Sequence, residues 1–211
     1  MSFRDLFRNV YYGPRELLLR EVEADSTLLD LGCGQASLVR YLPDSVKRTG
    51  VDLYEPSIEV SRKNKIHHDY AKINVLEALD HFGPKSFDYV TAMDVIEHFD
   101  REEGEKLIKV MEGLARKKVI ILTPNGFVPQ SDPDNPWQLH RSGWNTSDFT
   151  NRAYTVTGLH GWKALRGSMG IPRVKPEKLG NCVSFLSEAV IHRSPNLSFH
   201  IFSVKDMSQF S

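Results

Sequence analysis

The chain has 211 residues, and its 27 Lys and Arg balance 27 Asp and Glu, so its formal net charge is zero. That length suits one domain with an insertion or a lid, long enough to bury a core without staples. The balanced charge removes a chain-wide electrostatic case for nucleic acid and leaves only a local basic patch as a route to one. Two cysteines, Cys33 and Cys182, match no metal-site spacing and are too few for a disulfide framework, which suits a reducing compartment. Residues 1–8 carry charges throughout and do not read as a signal peptide. No apolar run approaches membrane-spanning length. A cytoplasmic protein with no membrane span is expected.

The N-terminal segment, about 1–24, reads as helical and contains Tyr11 and Tyr12. Thr27 to Leu31 is a short buried strand stopped by Gly32. Ser37 to Leu42 has helical apolar spacing and stops at Pro43. Arg48 to Leu53 is a second strand, and Pro56 opens a helix to about Lys63. Ala71 to Ile73 is a weaker third strand and Phe87 to Met93 a strong fourth. Glu102 to Ala115 is an amphipathic helix with Leu107, Val110, Met111 and Leu114 on one face. Lys118 to Thr123 is the fifth strand, ended by Pro124-Asn125-Gly126. A loop-like insertion, about 124–150, follows with Trp137 and Trp144 in it, and a loop of that length in a compact domain is usually functional. Tyr154 to Leu159 is a sixth strand, Glu177 to His192 a helix, and Phe199 to Val204 a closing strand. Strands alternating with helices imply one α/β domain over 1–211, a parallel sheet with helices on both faces. Unbroken apolar runs such as Val119 to Leu122 are what a sheet covered on both sides requires.

Gly32-Cys33-Gly34 lies between the first strand and a helix, where an open parallel sheet binds its ligands. Glycines there permit a tight turn and close approach to a ligand. Asp52 ends the second strand, placed to accept both hydroxyls of a ribose. Two nucleotide cofactors fit such a crevice. A dinucleotide wants a third glycine so that its pyrophosphate can sit on the helix N-terminus, and here that position is Ser37. Asp30, just before the glycines, would repel a pyrophosphate and attract the amino group of a methionine moiety. The pattern therefore favours S-adenosylmethionine over NAD.

The run Leu28-Leu29-Asp30-Leu31-Gly32-Cys33-Gly34 resembles the first motif of class I S-adenosylmethionine-dependent methyltransferases. Gly50-Val51-Asp52-Leu53 is similar to their second motif, Ser86 to His98 to their fourth-strand motif, and Lys118 to Gly126 to their fifth strand. The resemblance covers about residues 25–127 and is of the type 11/12-like, small-molecule branch. It implies a Rossmann-like, doubly wound, seven-stranded and mostly parallel sheet with an antiparallel last strand. It also implies that Gly32, Cys33 and Gly34 line the methionine part of the cofactor, that Asp52 holds the ribose, that Leu53 touches the adenine, and that Met93 and Asp94 lie beside the sulfonium. Ala36 stands where many members have a third small glycine. Where many place an adenine-binding aspartate, this chain has Ile73-Asn74-Val75, and the Asn74 amide oxygen accepts the same hydrogen bond without charge.

Methyl transfer from a sulfonium needs alignment and exclusion of water, and a base only when the nucleophile must lose a proton. The candidate bases are His98, at the carboxyl edge of the fourth strand, and His140, in the insertion. His98 reads first as a residue that packs locally and orients its loop, and second as a base. Trp137, His140, Arg141 and Trp144 form a candidate acceptor surface, or a surface loop anchored by its tryptophans, and Tyr12 is a further pocket candidate. His160 and Trp162, after the sixth strand, make a weaker group. His67-His68-Asp69 is not assigned a metal, because adjacent residues of a strand point oppositely. No metal, no nucleic-acid partner, and a monomer or homodimer are expected. The leading expectation is methylation of a small molecule, with oxygen ahead of carbon or nitrogen as acceptor and S-adenosylhomocysteine as product. A protein or RNA methyltransferase is the alternative within the enzyme class. A non-catalytic cofactor-binding partner subunit is the alternative outside it, followed by a dinucleotide oxidoreductase.

Overall fold

The computed structural model describes residues 13–132, 135–166 and 190–210. Helix α1 (Pro14–Glu21) precedes strand β1 (Thr27–Leu31). Then come β2 (Lys47–Val51), α2 (Glu55–Lys63), β3 (Asp69–Ala71), α3 (Ala78–Phe82), β4 (Phe87–Met93) and α4 (Arg101–Leu114). The described elements close with β5 (Ala115–Pro124), α5 (Thr146–Thr150), β6 (Thr155–Trp162) and β7 (Ser198–Asp206). The strands form one seven-stranded sheet in the order β3-β2-β1-β4-β5-β7-β6. The first five pair in parallel, while β7 runs antiparallel to both β5 and β6. This is the doubly wound topology expected, with its chain reversal next to β1 and β4, where ligands collect.

The apolar runs explain the layering. Along β5, Val119 and Ile121 face one hydrophobic layer while Ile120 and Leu122 face the other. Along β1, Leu29 and Leu31 join the first layer and Leu28 the second. A strand buried on both faces has no polar side to alternate with. Helix α4 supplies Leu107, Ile108, Val110, Met111 and Leu114 to the first layer. It starts at Asp100, whose side chain accepts from the Glu103 N–H at 2.9 Å in a capping box, a device that contributes about 1 kcal/mol.

Three elements differ from the sequence expectation. Leu38–Tyr41 is a short 3-10 turn rather than a helix, because the Ser37 hydroxyl caps the Val39 N–H and Pro43 blocks extension. Helices α3 and α5 have five residues each, too few for periodicity to reveal. The helix expected over Glu177 to His192 lies almost wholly outside the described residues. Among the described residues no helix is long and apolar enough to cross a membrane.

Candidate functional site

The carboxyl ends of β1, β2, β3 and β4 open into one cavity of about 370 Å³. Its first half is lined by Gly32 and Gly34 after β1, Asp52, Leu53 and Tyr54 after β2, Asn74 and Val75 after β3, and Asp94 and Val95 after β4. Its second half is lined by His98, Phe99 and Glu103 and by Asn135, Trp137, Gln138 and Arg141 of the insertion.

Gly32 has φ +67°, and a Cβ there would meet the Val95 side chain at 2.5 Å, so only glycine allows this turn. Asp52 is fixed before any ligand arrives. One carboxylate oxygen accepts the Gly34 N–H and the other the Tyr54 N–H, each at 2.9 Å. Each oxygen keeps a lone pair for a further donor. Asn74 spends its amide oxygen on the Leu76 N–H at 3.0 Å, capping the turn that follows β3. Its NH₂ and the second lone pair of its oxygen are left for a ligand.

Three of the expected cofactor contacts lie elsewhere. Asp30 is 1% exposed and does not line the cavity. Its carboxylate accepts the Thr91 hydroxyl at 2.7 Å and faces His67 Nε2 at 3.0 Å. His67 is held in turn by Ser61, and Ser61 by Tyr70. Asp30 thus belongs to a buried polar network that braces the glycine loop from beneath. Cys33 turns inward as well: its N–H donates to Val51 O, and its Sγ lies 2.9 Å from where a Cβ on Gly50 would stand. Burial, then the charges of Asp30 and Asp52, push its thiol pKa up, so it stays protonated and unreactive. Met93 is half-buried and packs against the second hydrophobic layer.

The structure brings His98, on the cavity wall, and His140, which does not line the cavity, together with ring centroids 4.9 Å apart. His140 is 8% exposed, and its Nδ1 lies 2.6 Å from Val128 O, so Nδ1 carries the proton and Nε2 presents a lone pair. His98 Nδ1 likewise faces Leu139 O, at 3.3 Å. Burial lowers both histidine pKa values, and His140 lowers that of His98 further. Beside them Glu97 is buried; Oε2 accepts the Thr123 hydroxyl at 2.9 Å, while Oε1 has no hydrogen-bond partner. Burial first, and the Asp94 charge second, push its carboxyl well above the ordinary carboxylate range.

Ligand atoms of Glu97, His98 and His140 all lie within 4.8 Å of one another. Two imidazoles and a carboxylate with an unsatisfied oxygen form a donor set suited to a divalent cation. No spacing in the sequence marks this set, which forms only in the fold. The signal available was the adjacent Glu97-His98 at a strand's carboxyl end, with the later His140 needed to complete it.

Trp137, 57% exposed, and Arg141 both line the cavity wall. Trp144 is not part of it. It is fully buried against Phe149, donates to the Ser142 hydroxyl at 2.9 Å and lies under the Arg101 guanidinium. Its place is made by Gly104 of α4, where a Cβ would meet the indole at 2.4 Å. Trp144 therefore anchors the insertion to α4. Tyr11 and Tyr12 lie outside the described residues.

Residues 29–123 match the family model described as a methyltransferase domain. The small RNA 2'-O-methyltransferase of Mus musculus is 25% identical over 200 residues, covering 84% of this chain and 49% of that protein. The chain thus spans about half the length of the curated relatives it first matches. Among solved structures, a SAM dependent methyltransferase from Archaeoglobus fulgidus has a TM-score of 0.59 at 17% identity, over 97% of this chain and all of that one. The small RNA methyltransferase HEN1 has a TM-score of 0.58 at 19% identity, over 92% of this chain and 26% of that one. The seven-stranded order, the glycine loop opposite Asp52 and the match of residues 29–123 to a methyltransferase domain agree, and the chain has the fold of the S-adenosylmethionine-dependent methyltransferases it resembles.

Proposed function

We propose that this chain transfers the methyl group of S-adenosylmethionine to a hydroxyl oxygen, and that the acceptor is a ribose 2′-hydroxyl of RNA. The observation that carries the reading is the meeting of Glu97, His98 and His140 beside the acceptor half of the cavity. A hydroxyl is a weak nucleophile until it sheds its proton, so oxygen acceptors need such a cluster where a thiolate acceptor would not.

The cavity fits the donor. The half lined by Gly32 and Gly34 presents backbone without side chains, and Asp52 offers its remaining lone pairs to the ribose diol. Leu53, Val75 and Asp94 line the cavity; the first two would supply an apolar slot for the adenine and Asp94 would face the sulfonium end. As the new C–O bond forms, the C–S bond breaks and its electron pair returns to sulfur as S-adenosylhomocysteine. Without a cation the hydroxyl proton passes to Nε2 of His98, the imidazole on the cavity wall; with both Nε2 atoms engaged by a cation it passes to water. The same pair with Glu97 would hold a divalent cation, which would polarise the acceptor hydroxyl.

The RNA acceptor draws support from the mouse and rat relatives, both named small RNA 2'-O-methyltransferases, and from the likeness to HEN1. Exposed Trp137 and Arg141, both on the cavity wall, suit a nucleotide, whose base stacks and whose phosphate is anionic. A small-molecule hydroxyl is the second reading, favoured by the zero formal net charge.

Transfer of radiolabelled methyl from S-adenosylmethionine to a short single-stranded oligoribonucleotide tests both. Label enters the ribose form and not its 2′-deoxy counterpart, and it falls after chelation and returns with Mn²⁺ or Mg²⁺. Equal labelling of the deoxy form overturns the 2′-hydroxyl assignment. Labelling of a phenol panel with none on RNA selects the second reading, and turnover indifferent to chelation leaves the histidines as bases alone.

A further inference from the structure

Next to the Glu97–His98–His140 cluster lies a second line of polar side chains that the transfer step above does not use. His200 is on β7 opposite Pro124 of β5 and Leu159 of β6, on the edge where the insertion departs. Its Nε2 lies 3.5 Å from Asp94 Oδ1, and its Nδ1 lies 3.1 Å from His160 Nδ1. The two rings meet edge to face with centroids 4.7 Å apart.

We propose that His200 is a positioning residue for methyl transfer: its Nε2–H holds the Asp94 carboxylate where the cofactor and acceptor halves of the cavity meet, and His160 holds the His200 ring. The proposal rests on the methyltransferase reading. It adds the strands β6 and β7, from which no residue lines the cavity, to the machinery of the site.

The proton count supports it. Two Nδ1 atoms 3.1 Å apart share one proton. If His200 supplied that proton as a neutral ring, its Nε2 would turn a lone pair towards a carboxylate, which is repulsive. The favourable arrangements are a His160 Nδ1–H donating to His200, or a doubly protonated His200 donating to both neighbours. In each, Nε2 of His200 carries a proton and faces Asp94. Burial, then His200, lower the His160 pKa from 6.5 to about 4, so His160 remains neutral in both arrangements.

The backbone supports it independently. Asp94 has φ +54° and His160 φ +63°, both in the left-handed region that residues with a Cβ rarely enter. Such conformations are strained and persist where surrounding structure over-determines them. At Asp94 the N–H donates to Leu122 O at 2.9 Å, and the twist turns the side chain off the end of β4. At His160 the sheet register slips between Leu159 and Trp162, a bulge that re-aims the imidazole towards His200. Both ends of the line are therefore bent towards its centre. His200 itself is mostly buried, at 16% side-chain exposure against 52% for Asp94, so it is the fixed member and Asp94 the one that is steered.

Two measurements on the full chain decide the matter. Imidazole nitrogen NMR needs no turnover: the wild type shows a protonated Nε2 on His200, identified by its loss in His200→Gln, and Asp94→Ala shifts that signal. A bare Nε2 on His200 overturns the proposal even if the enzyme is active. With the oligoribonucleotide as acceptor, His200→Ala lowers kcat on the order of 10- to 100-fold, the scale of a misplaced catalytic group. Its S-adenosylhomocysteine affinity stays near that of the wild type. His200→Gln keeps a donor at the same place and recovers most of the rate. Unchanged kcat in His200→Ala, or equal losses in the Ala and Gln variants together with a lower melting temperature, overturns the positioning role. A wild type that turns over no acceptor while His200 shows the protonated Nε2 overturns the activity reading alone.

Discussion

Asp30 and Asp52 both precede or face the glycine loop, yet the structure gives them different tasks, and paired substitutions separate these. The Asp52 carboxylate lines the cavity with each oxygen bound once to backbone, at 2.9 Å. A hydrogen bond to a charged group contributes about 1.5–3 kcal/mol. Losing two ribose contacts at this half-buried position, discounted for solvent, costs about 2–4 kcal/mol, or roughly 30- to 1000-fold in Kd. Calorimetric titration with S-adenosylhomocysteine measures that loss in Asp52→Ala. Asp30 is 1% exposed and paired with Thr91 and His67. Breaking a buried pair from one side costs about 3–5 kcal/mol of stability, which lowers Tm by about 6–20 °C in a chain of this size. Asp30→Ala therefore melts early, while its folded fraction keeps a cofactor affinity much closer to the wild type than Asp52→Ala does. Wild-type affinity in Asp52→Ala refutes the placement of the ribose. Equal affinity losses in the two variants, with Tm unmoved in Asp30→Ala, refute the division of roles.

Two further outcomes concern stability. Gly104→Ala places a methyl 2.4 Å from the Trp144 indole, so it destabilises by about 1–3 kcal/mol in a thermal melt; Trp144→Phe, which vacates that contact, makes the same substitution milder, and additive losses would show that the packing reading is wrong. His160 has its pKa lowered from 6.5 to about 4, chiefly by burial. A depressed folded-state pKa contributes stability that is complete above the unfolded value and is lost as pH falls. Urea midpoints of the wild type therefore drop between about pH 6.5 and 4 by more than those of His160→Gln, and parallel curves would remove His160 as the cause.

The glycine turn and the acid that line one half of the cavity are legible in sequence because each is a local signal. A leucine-rich strand with a glycine at φ +67° directly after it, and an acid directly after the next strand, are each signals within a few residues of a strand's end. What could not be read there was the direction of single side chains. Asp30 and Cys33 flank Gly32, and both turn into the protein, towards His67 and Gly50, neither of which any nearby pattern couples to them. The 3-10 turn at Leu38–Tyr41 was hidden for a related reason, since apolar spacing does not register that the Ser37 hydroxyl caps the turn so early.

The acceptor half is non-local, and its physics explains why the tryptophans misled. An exposed loop and a buried anchor both place an aromatic among polar residues, so Trp137 and Trp144 look alike in sequence. They part only because Gly104, on a helix formed earlier in the chain, leaves a slot that one indole fills. Filling it ties the insertion to α4, and the segment between is then held over the end of β4. There the Glu97 carbonyl accepts the Arg141 and Ser142 N–H groups at 2.8 and 3.1 Å, and Val128 O takes the His140 ring. The meeting of Glu97, His98 and His140 is thus a consequence of the anchor, with Trp144 acting at a distance from the chemistry it makes possible. A residue that looked like a substrate contact does its work by deciding where two others stand.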